Sequence, residues 1–348
     1  MGVVKRLPFR ERELLREVVR RFSGTPFPLV IASGTFLPLL ENWLVHAVAA
    51  GVELSLVIAL DDEAGRFRHT GCVVVQSGVG GAFADLCIHR LRICAYLAEL
   101  GADFISSDVD AVWLSDPRPL CFGAPRRDVL FSQGTYHPKP AYNAWGFVLC
   151  AGFFAVRGGP ASAHFLNTVL DRAWPGSDDQ EPINLALLES GVRWDSGADK
   201  GYQLGFAGRQ MRCFRSVLEG SNERLGMRIG LIPHHFVQRA PAEETAAIIK
   251  HLGSPRDPSA KVSVLRAAGC WRMPKPARPQ MLIFTTHKSG TSLFHHVMHK
   301  LAERLSLRVA TLYGVVNEID PQLDMALLAH SLLGCQIRPA IPGGSCRA

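Results

Sequence analysis

Two near-continuous apolar runs, FPLVIAS (27–33) and LSLVIAL (54–60), bracket an amphipathic stretch, LPLLENWLVHAVAAG (37–51). Strands that are apolar along their whole length are covered on both faces, as in a parallel sheet between helices. The alternation continues through a strand CVVVQS (72–77) and a helix over 83–100 closed by Gly101. Next comes the strand segment ADFISSDVDAVWL (102–114), broken at Asp116-Pro117. The pattern predicts an α/β fold with a mainly parallel, Rossmann-like sheet and helices on both faces. Beyond 128 the elements shorten, with strands over 128–134 and 146–156, helices near 160–173 and 181–190, and short strands after 200. RMPKPARPQ (272–280) holds three prolines and three basic residues and reads as a linker. The expected organisation is a basic N-terminal helix (1–26), the α/β domain (27–271), the linker, and a second strand–loop–helix start within 281–348.

The 348 residues carry a net charge of +7, which would fit a nucleic-acid binder if it formed one surface. Residues 1–26 hold seven basic and three acidic side chains, 270–348 hold nine and four, and 27–269 are net −2. The basicity belongs to the two ends, and no basic stripe interleaved with aromatics crosses the middle, so no nucleic-acid partner is expected. Nine cysteines, an odd number without a CxxC pair, fit a reducing cytoplasm. The N-terminus lacks a signal-peptide core, and Trp43–Leu60 is interrupted by His46, Gly51, Glu53 and Ser55, so no transmembrane span is expected. Residues 9–22 form a basic amphipathic helix; packing on the domain is the favoured reading, and contact with an anionic membrane surface is the alternative.

The sharpest chemical pattern is Asp108-Val109-Asp110, placed after an apolar strand and before Val112-Trp113. Ligands of open α/β sheets bind beyond the carboxyl ends of strands. In an extended segment, residues two apart point the same way, so the two carboxylates are expected to converge on one ion. Hard carboxylates that leave coordination sites open suit Mn²⁺ or Mg²⁺ carrying a diphosphate.

The run GADFISSDVDAVWLSDPRPL resembles the core motif of nucleotide-diphospho-sugar transferases of the GT-A fold, especially the arabinosyl- and xylosyltransferase group. Further stretches resemble the family in its order: VIALDDEA (57–64), DVLFSQG (128–134), NAWGFVLCAGFFAVRG (143–158), DDQEPIN (178–184), and IIKHLG, Lys261 and AGCW (268–271). The resemblance implies a metal-dependent glycosyltransferase that takes a sugar from a nucleotide-diphospho-sugar donor to an acceptor hydroxyl on a glycan or small molecule, with retention. By the same resemblance Asp110 is a metal ligand, Asp108 binds the metal or the ribose, and His251 completes the metal shell, with His234 and His235 as rivals. Lys261 is implied to neutralise the diphosphate, Asp179 and Gln180 to serve the donor sugar or acceptor, and Asp61 to lie near the nucleotide. Each has a plainer reading: a satisfied histidine, a solvated lysine, a helix cap, a turn.

After the linker, LIFTTHKSGTSLFHHVMHKL (282–301) presents an apolar strand, a Lys-Ser-Gly-Thr-Ser loop and a helix. Backbone amides at a helix N-terminus, with hydroxyls and a lysine, make an anion cradle. The loop lacks the earlier glycine of a Walker A motif. It resembles the 5′-phosphosulfate loop of PAPS-dependent sulfotransferases, with His287 where proline is usual. That resemblance implies sulfuryl-transfer assistance by Lys288 and 5′-phosphate binding by Ser289, Gly290, Thr291 and Ser292. A complete domain of that kind needs roughly 200 further residues. The segment is therefore expected to be an incomplete, P-loop-like α/β piece. PAPS binding, or plain phosphate binding with the C-terminal loop as the working part, is the alternative function.

Overall fold

The computed structural model describes residues 7–22, 24–77, 83–174, 176–197, 199–206, 208–239, 247–253, 257–273, 281–285, 300, 309–313 and 325–329, with 83–85 and the three C-terminal strands described by backbone alone. The chain divides into two compact units, 1–272 and 273–348. The first opens with α1 (Phe9–Arg21), β1 (Phe27–Ala32), α2 (Leu37–Ala49), β2 (Ser55–Ala59), α3 (Asp62–Gly65) and β3 (Cys72–Gln76). It continues with α4 (Phe83–Glu99), β4 (Phe104–Ser107), β5 (Val112–Trp113), α5 (Arg118–Phe122), β6 (Val129–Gln133), α6 (Lys139–Trp145) and β7 (Leu149–Val156). Then follow α7 (Pro160–Arg172), α8 (Gln180–Ser190), β8 (Arg193–Asp195), β9 (Tyr202–Phe206), β10 (Arg209–Cys213), β11 (Leu218–Asn222) and β12 (Met227–Leu231). β13 (Val237–Gln238), β14 (Ile249–Lys250) and α9 (Pro258–Ala267) complete the unit.

Nine strands form one sheet in the order β3-β2-β1-β4-β7-β6-β12-β11-β8. β3, β2, β1 and β4 are mutually parallel. β7 runs antiparallel to both β4 and β6, β12 is parallel to β6, and β11 and β8 close the edge antiparallel. Parallel pairing thus dominates the N-terminal half, and the remainder is mixed. The change comes at β7, because α6 stays at the end of the sheet where β6 stops and returns the chain alongside it. The chain steps from β1 outward to β2 and β3, then places β4 on the other side of β1. That reversal opens a crevice at the carboxyl ends of β1 and β4.

Side chains alternate across the strands into two cores. Phe27 and Leu29 of β1, Phe104 of β4 and Phe154 and Val156 of β7 pack with α1, α4, α7 and α8 on one face. Val30 and Ala32, Ile105, and Phe153 and Ala155 pack with α2, Trp113 and Leu265 of α9 on the other. Each helix covers the sheet through its apolar stripe, and α1 joins the first core through Leu15 and Val18. Among the described residues no helix is long and apolar enough to cross a membrane.

The second unit holds β15 (Met281–Thr285), β16 (Val309–Tyr313) and β17 (Met325–Ala329), parallel in the order β15-β17-β16. The anion-cradle expectation for Lys288, Ser289, Gly290, Thr291 and Ser292 falls outside the described residues.

Candidate active site

The extended run expected over 102–114 is interrupted. β4 ends at Ser107, and the chain turns through Asp108–Ala111 before β5, with the Ala111 amide donating to the Asp108 carbonyl (3.0 Å). Asp108 and Asp110 therefore converge because the chain turns, and strand alternation is not the cause. The turn is pinned from both sides. The Asp108 amide donates to the Gly152 carbonyl on β7 (2.7 Å). Trp113 is buried, its Nε1 donates to Ser107 Oγ (3.2 Å), and its ring meets Trp43 edge-on at 5.3 Å. Trp43 Nε1 in turn donates to the Ala111 carbonyl (3.1 Å).

His251 reaches the pair by strand pairing. β14 lies antiparallel to β5, with Ile249 opposite Trp113 and Lys250 opposite Val112. The next residue, His251, sets Nε2 at 3.5 Å from Asp108 Oδ2 and 3.7 Å from Asp110 Oδ1. One ligand atom from each of the three residues lies within 4.8 Å of the others. Gly152 forms the floor, where an added Cβ would stand 2.1 Å from His251 Cε1 and 2.6 Å from Asp108 Oδ2. The rival histidines are used elsewhere. His234 is buried and its Nε2 accepts the Arg239 amide (3.2 Å), while His235 lies against the Phe236 ring.

Basic side chains meet each carboxylate. Lys261, on the first turn of α9 after the Asp257 cap, donates to Asp110 Oδ2. Arg90, buried on α4, sends NH1 to Asp108 Oδ1 (2.5 Å) and Nε to Asp179 Oδ2 (2.5 Å). Asp179 stands at the N-cap of α8 without capping it; the neighbouring Asp178 accepts the Glu181 amide instead (2.9 Å). Burial pushes the Asp179 carboxyl up to about 6, with Asp108 adding to the shift and Arg90 opposing it. Burial also works against the Asp108 charge, yet Arg90, then His251 and Lys261, bring that carboxyl down to about 2. Gln180 Nε2 donates to the His137 carbonyl (2.5 Å), and a Cβ at Gly134 would lie 3.5 Å from its Oε1. Asp61 sits at the end of β2, where its carboxylate accepts the Ala64 amide at the start of α3 and the Gly34 amide after β1. This bridge joins the ends of two neighbouring strands.

Sequence reasoning did not pick out Arg90, Arg239 or Cys150. Arg239 NH1 lies 2.8 Å from His251 Nδ1 and 3.3 Å from Cys150 Sγ. Burial raises the Cys150 thiol, but Arg239 and then His251 outweigh it and bring it to about 7. A signal for Arg90 is its place among the apolar residues Cys87, Ile88, Leu91 and Cys94 of a helix, where a charge needs a buried partner.

The family described as nucleotide-diphospho-sugar transferase matches residues 73–245. No curated protein sequence matches the chain. Among solved structures, an active-site mutant of LgtC is similar at 10% identity and TM-score 0.42, covering 72% of this chain and 98% of its own. The apo-form glycosyltransferase GlyE of Streptococcus pneumoniae is similar at 10% identity and TM-score 0.39, covering 88% of this chain and 81% of its own. Mouse xyloside xylosyltransferase 1 is similar at 9% identity and TM-score 0.30, over 47% of this chain and 81% of its own. On the family match the protein is a glycosyltransferase, and its residues 73–245 are similar to nucleotide-diphospho-sugar transferases.

Proposed function

We propose that the chain transfers a sugar from a nucleotide-diphospho-sugar to an acceptor hydroxyl, at a divalent-cation site made by Asp108, Asp110 and His251. The observation that carries this reading is the convergence of those three ligands at the β1/β4 switch point, beside the Arg90–Asp179 pair. The two carboxylates suit a hard divalent cation such as Mn²⁺ or Mg²⁺, and the imidazole nitrogen beside them favours Mn²⁺ of the two. A side chain at position 152 would collide with His251 and Asp108, so the glycine lets both ligands stand where they do.

When bound, the cation supplies charge stabilisation to the departing diphosphate. Asp108, Asp110 and His251 would hold it. Lys261, next to Asp110, faces the diphosphate and adds a positive charge where negative charge grows. Arg90 fixes Asp179 by two nitrogens, so that the carboxyl meets the donor sugar in one orientation. Gln180, which follows Asp179 and is held through His137, is assigned to the acceptor. Retention of anomeric configuration is included in the proposal on the resemblance of the Asp-x-Asp motif and its flanks to retaining families.

The test is release of nucleoside diphosphate from a panel of nucleotide-diphospho-sugars with Mn²⁺. Turnover of at least one donor is expected, and Asp110→Ala should abolish it. Unchanged turnover in that variant would overturn the metal assignment.

A further inference from the structure

Among the described residues, the two basic side chains that meet the ligand carboxylates are each held in ion pairs. Arg90 is paired with Asp108 and Asp179, and Lys261 with Asp110. Arg239 has no carboxylate partner among the described residues, and its NH1 lies 2.8 Å from His251 Nδ1, 3.3 Å from His251 Nε2 and 3.3 Å from Cys150 Sγ. Its Nε is buried and has no hydrogen-bond partner. A guanidinium carries five N–H donors in a planar fork, and leaving one buried and unmet costs on the order of 1–3 kcal/mol. Such an arrangement in a cleft is explained when the missing acceptor belongs to a ligand.

The tautomer of His251 says when that acceptor is needed. An imidazole that gives its Nε2 lone pair to a cation carries its proton on Nδ1. Nδ1–H cannot accept from Arg239, so seating a cation on His251 ends the 2.8 Å contact. Cys150 Sγ, 3.9 Å from Nδ1, is then placed to take the Nδ1–H, as the outer partner that fixes the ring. The displaced guanidinium retains its charge and now has more unmet donors. We propose that Arg239 is a second diphosphate-binding cation of this site, resting on His251 and Cys150 when the site is empty and turning its fork to the diphosphate when the cation is bound. The inference rests on the donor and metal reading above. A planar bidentate donor suits phosphate oxygens in a way that the point charge of Lys261 does not.

The probe is inorganic pyrophosphate, which carries the diphosphate without base or sugar, titrated calorimetrically into the full-length protein with Mn²⁺. Mn²⁺ binding alone is followed in parallel by the paramagnetic resonance of the free ion. In Arg239→Gln, pyrophosphate affinity is expected to fall tenfold or more while Mn²⁺ alone binds no more weakly than to the wild type. Arg239→Lys, which keeps the charge without the fork, should fall between the two, and it carries the test if the glutamine variant does not fold. Wild-type pyrophosphate affinity in both variants overturns the proposal. So does an equal loss of Mn²⁺ alone, which would make Arg239 only a support for His251. Asp110→Asn separates this from the parent reading. If that variant loses Mn²⁺-dependent binding while Arg239→Gln retains it, only the role of Arg239 fails. If the wild type shows no Mn²⁺-dependent pyrophosphate binding, the metal reading itself fails.

Discussion

Ile249 lies directly opposite Trp113 in a two-residue antiparallel ladder. That pairing couples the turn bearing Asp108 and Asp110 to the residue that follows β14, His251. The anchor is rigid because Trp113 is buried between Trp43 and Phe153, each ring meeting it edge-on. The metal-ligand geometry therefore depends on the packing of an aromatic core behind it as much as on the ligands.

Removing that anchor tests the dependence. Trp113→Ala deletes a fully buried ring and is expected to cost about 3–5 kcal/mol of stability, measured by denaturant unfolding. Mn²⁺ affinity should fall with it, because β14 loses the surface it pairs beside. A variant destabilised by less than about 1 kcal/mol, with Mn²⁺ affinity intact, would show that His251 is positioned by other contacts.

Gly152→Ala addresses the floor of the site. The new methyl would enter the space of His251 Cε1 and Asp108 Oδ2, so one of the two must withdraw. Loss of Mn²⁺ binding and of transfer is expected in a chain that still folds, since the strand backbone there is available to alanine. Full activity in Gly152→Ala would place the cation elsewhere.

Arg90 holds two carboxylates together in a buried setting, and removing it leaves both without their shared cation. Arg90→Met should lose about 3–5 kcal/mol of stability. Adding Asp179→Asn should recover part of that loss, because it removes the carboxyl that burial already pushes up to about 6. Urea titrations of the two variants check this, and a double variant no more stable than the single one would contradict it.

How far these features could be read from the sequence follows from the range of the interactions involved. The strands β1, β2 and β4 and the Asp108–Asp110 pair lie in local apolar patterns, and local patterns survive in a single chain. The turn at 108–111 is masked in the sequence because Val109, Val112 and Trp113 are all strand-favouring residues. Asp179 was open to a capping role, which its position at a helix start permits, but Arg90 draws its side chain away. Nothing near position 179 encodes that contact, which is set by how α4 and α8 pack on the sheet. The return of β7 between β4 and β6 is likewise tertiary, since both neighbouring strands are as apolar as parallel ones. Arg239 and Cys150 stand in unremarkable local surroundings, and only the fold brings them to His251.

His234 makes the last prediction, a dependence of stability on pH. Burial, with Arg239 and His235 adding to it, lowers its pKa from 6.5 to about 4. The folded protein holds this ring neutral, with Nε2 accepting the Arg239 amide. Between pH 6.5 and about 4 the unfolded chain binds a proton that the folded chain does not. The contribution is therefore fully present above 6.5 and is lost as pH falls toward 4, amounting to about 3 kcal/mol. Asp179 acts in the opposite sense, because its carboxyl is raised from 3.8 to about 6 in the folded state and gains stability as pH falls through that range. The comparison that isolates His234 is the difference between wild type and His234→Gln, which keeps an acceptor for the Arg239 amide without a titrating ring. Urea midpoints at pH 7 and pH 4.5 should drop further in the wild type than in the variant. Equal drops would mean that protonation of His234 does not limit acid stability, and the loss would then belong to other groups.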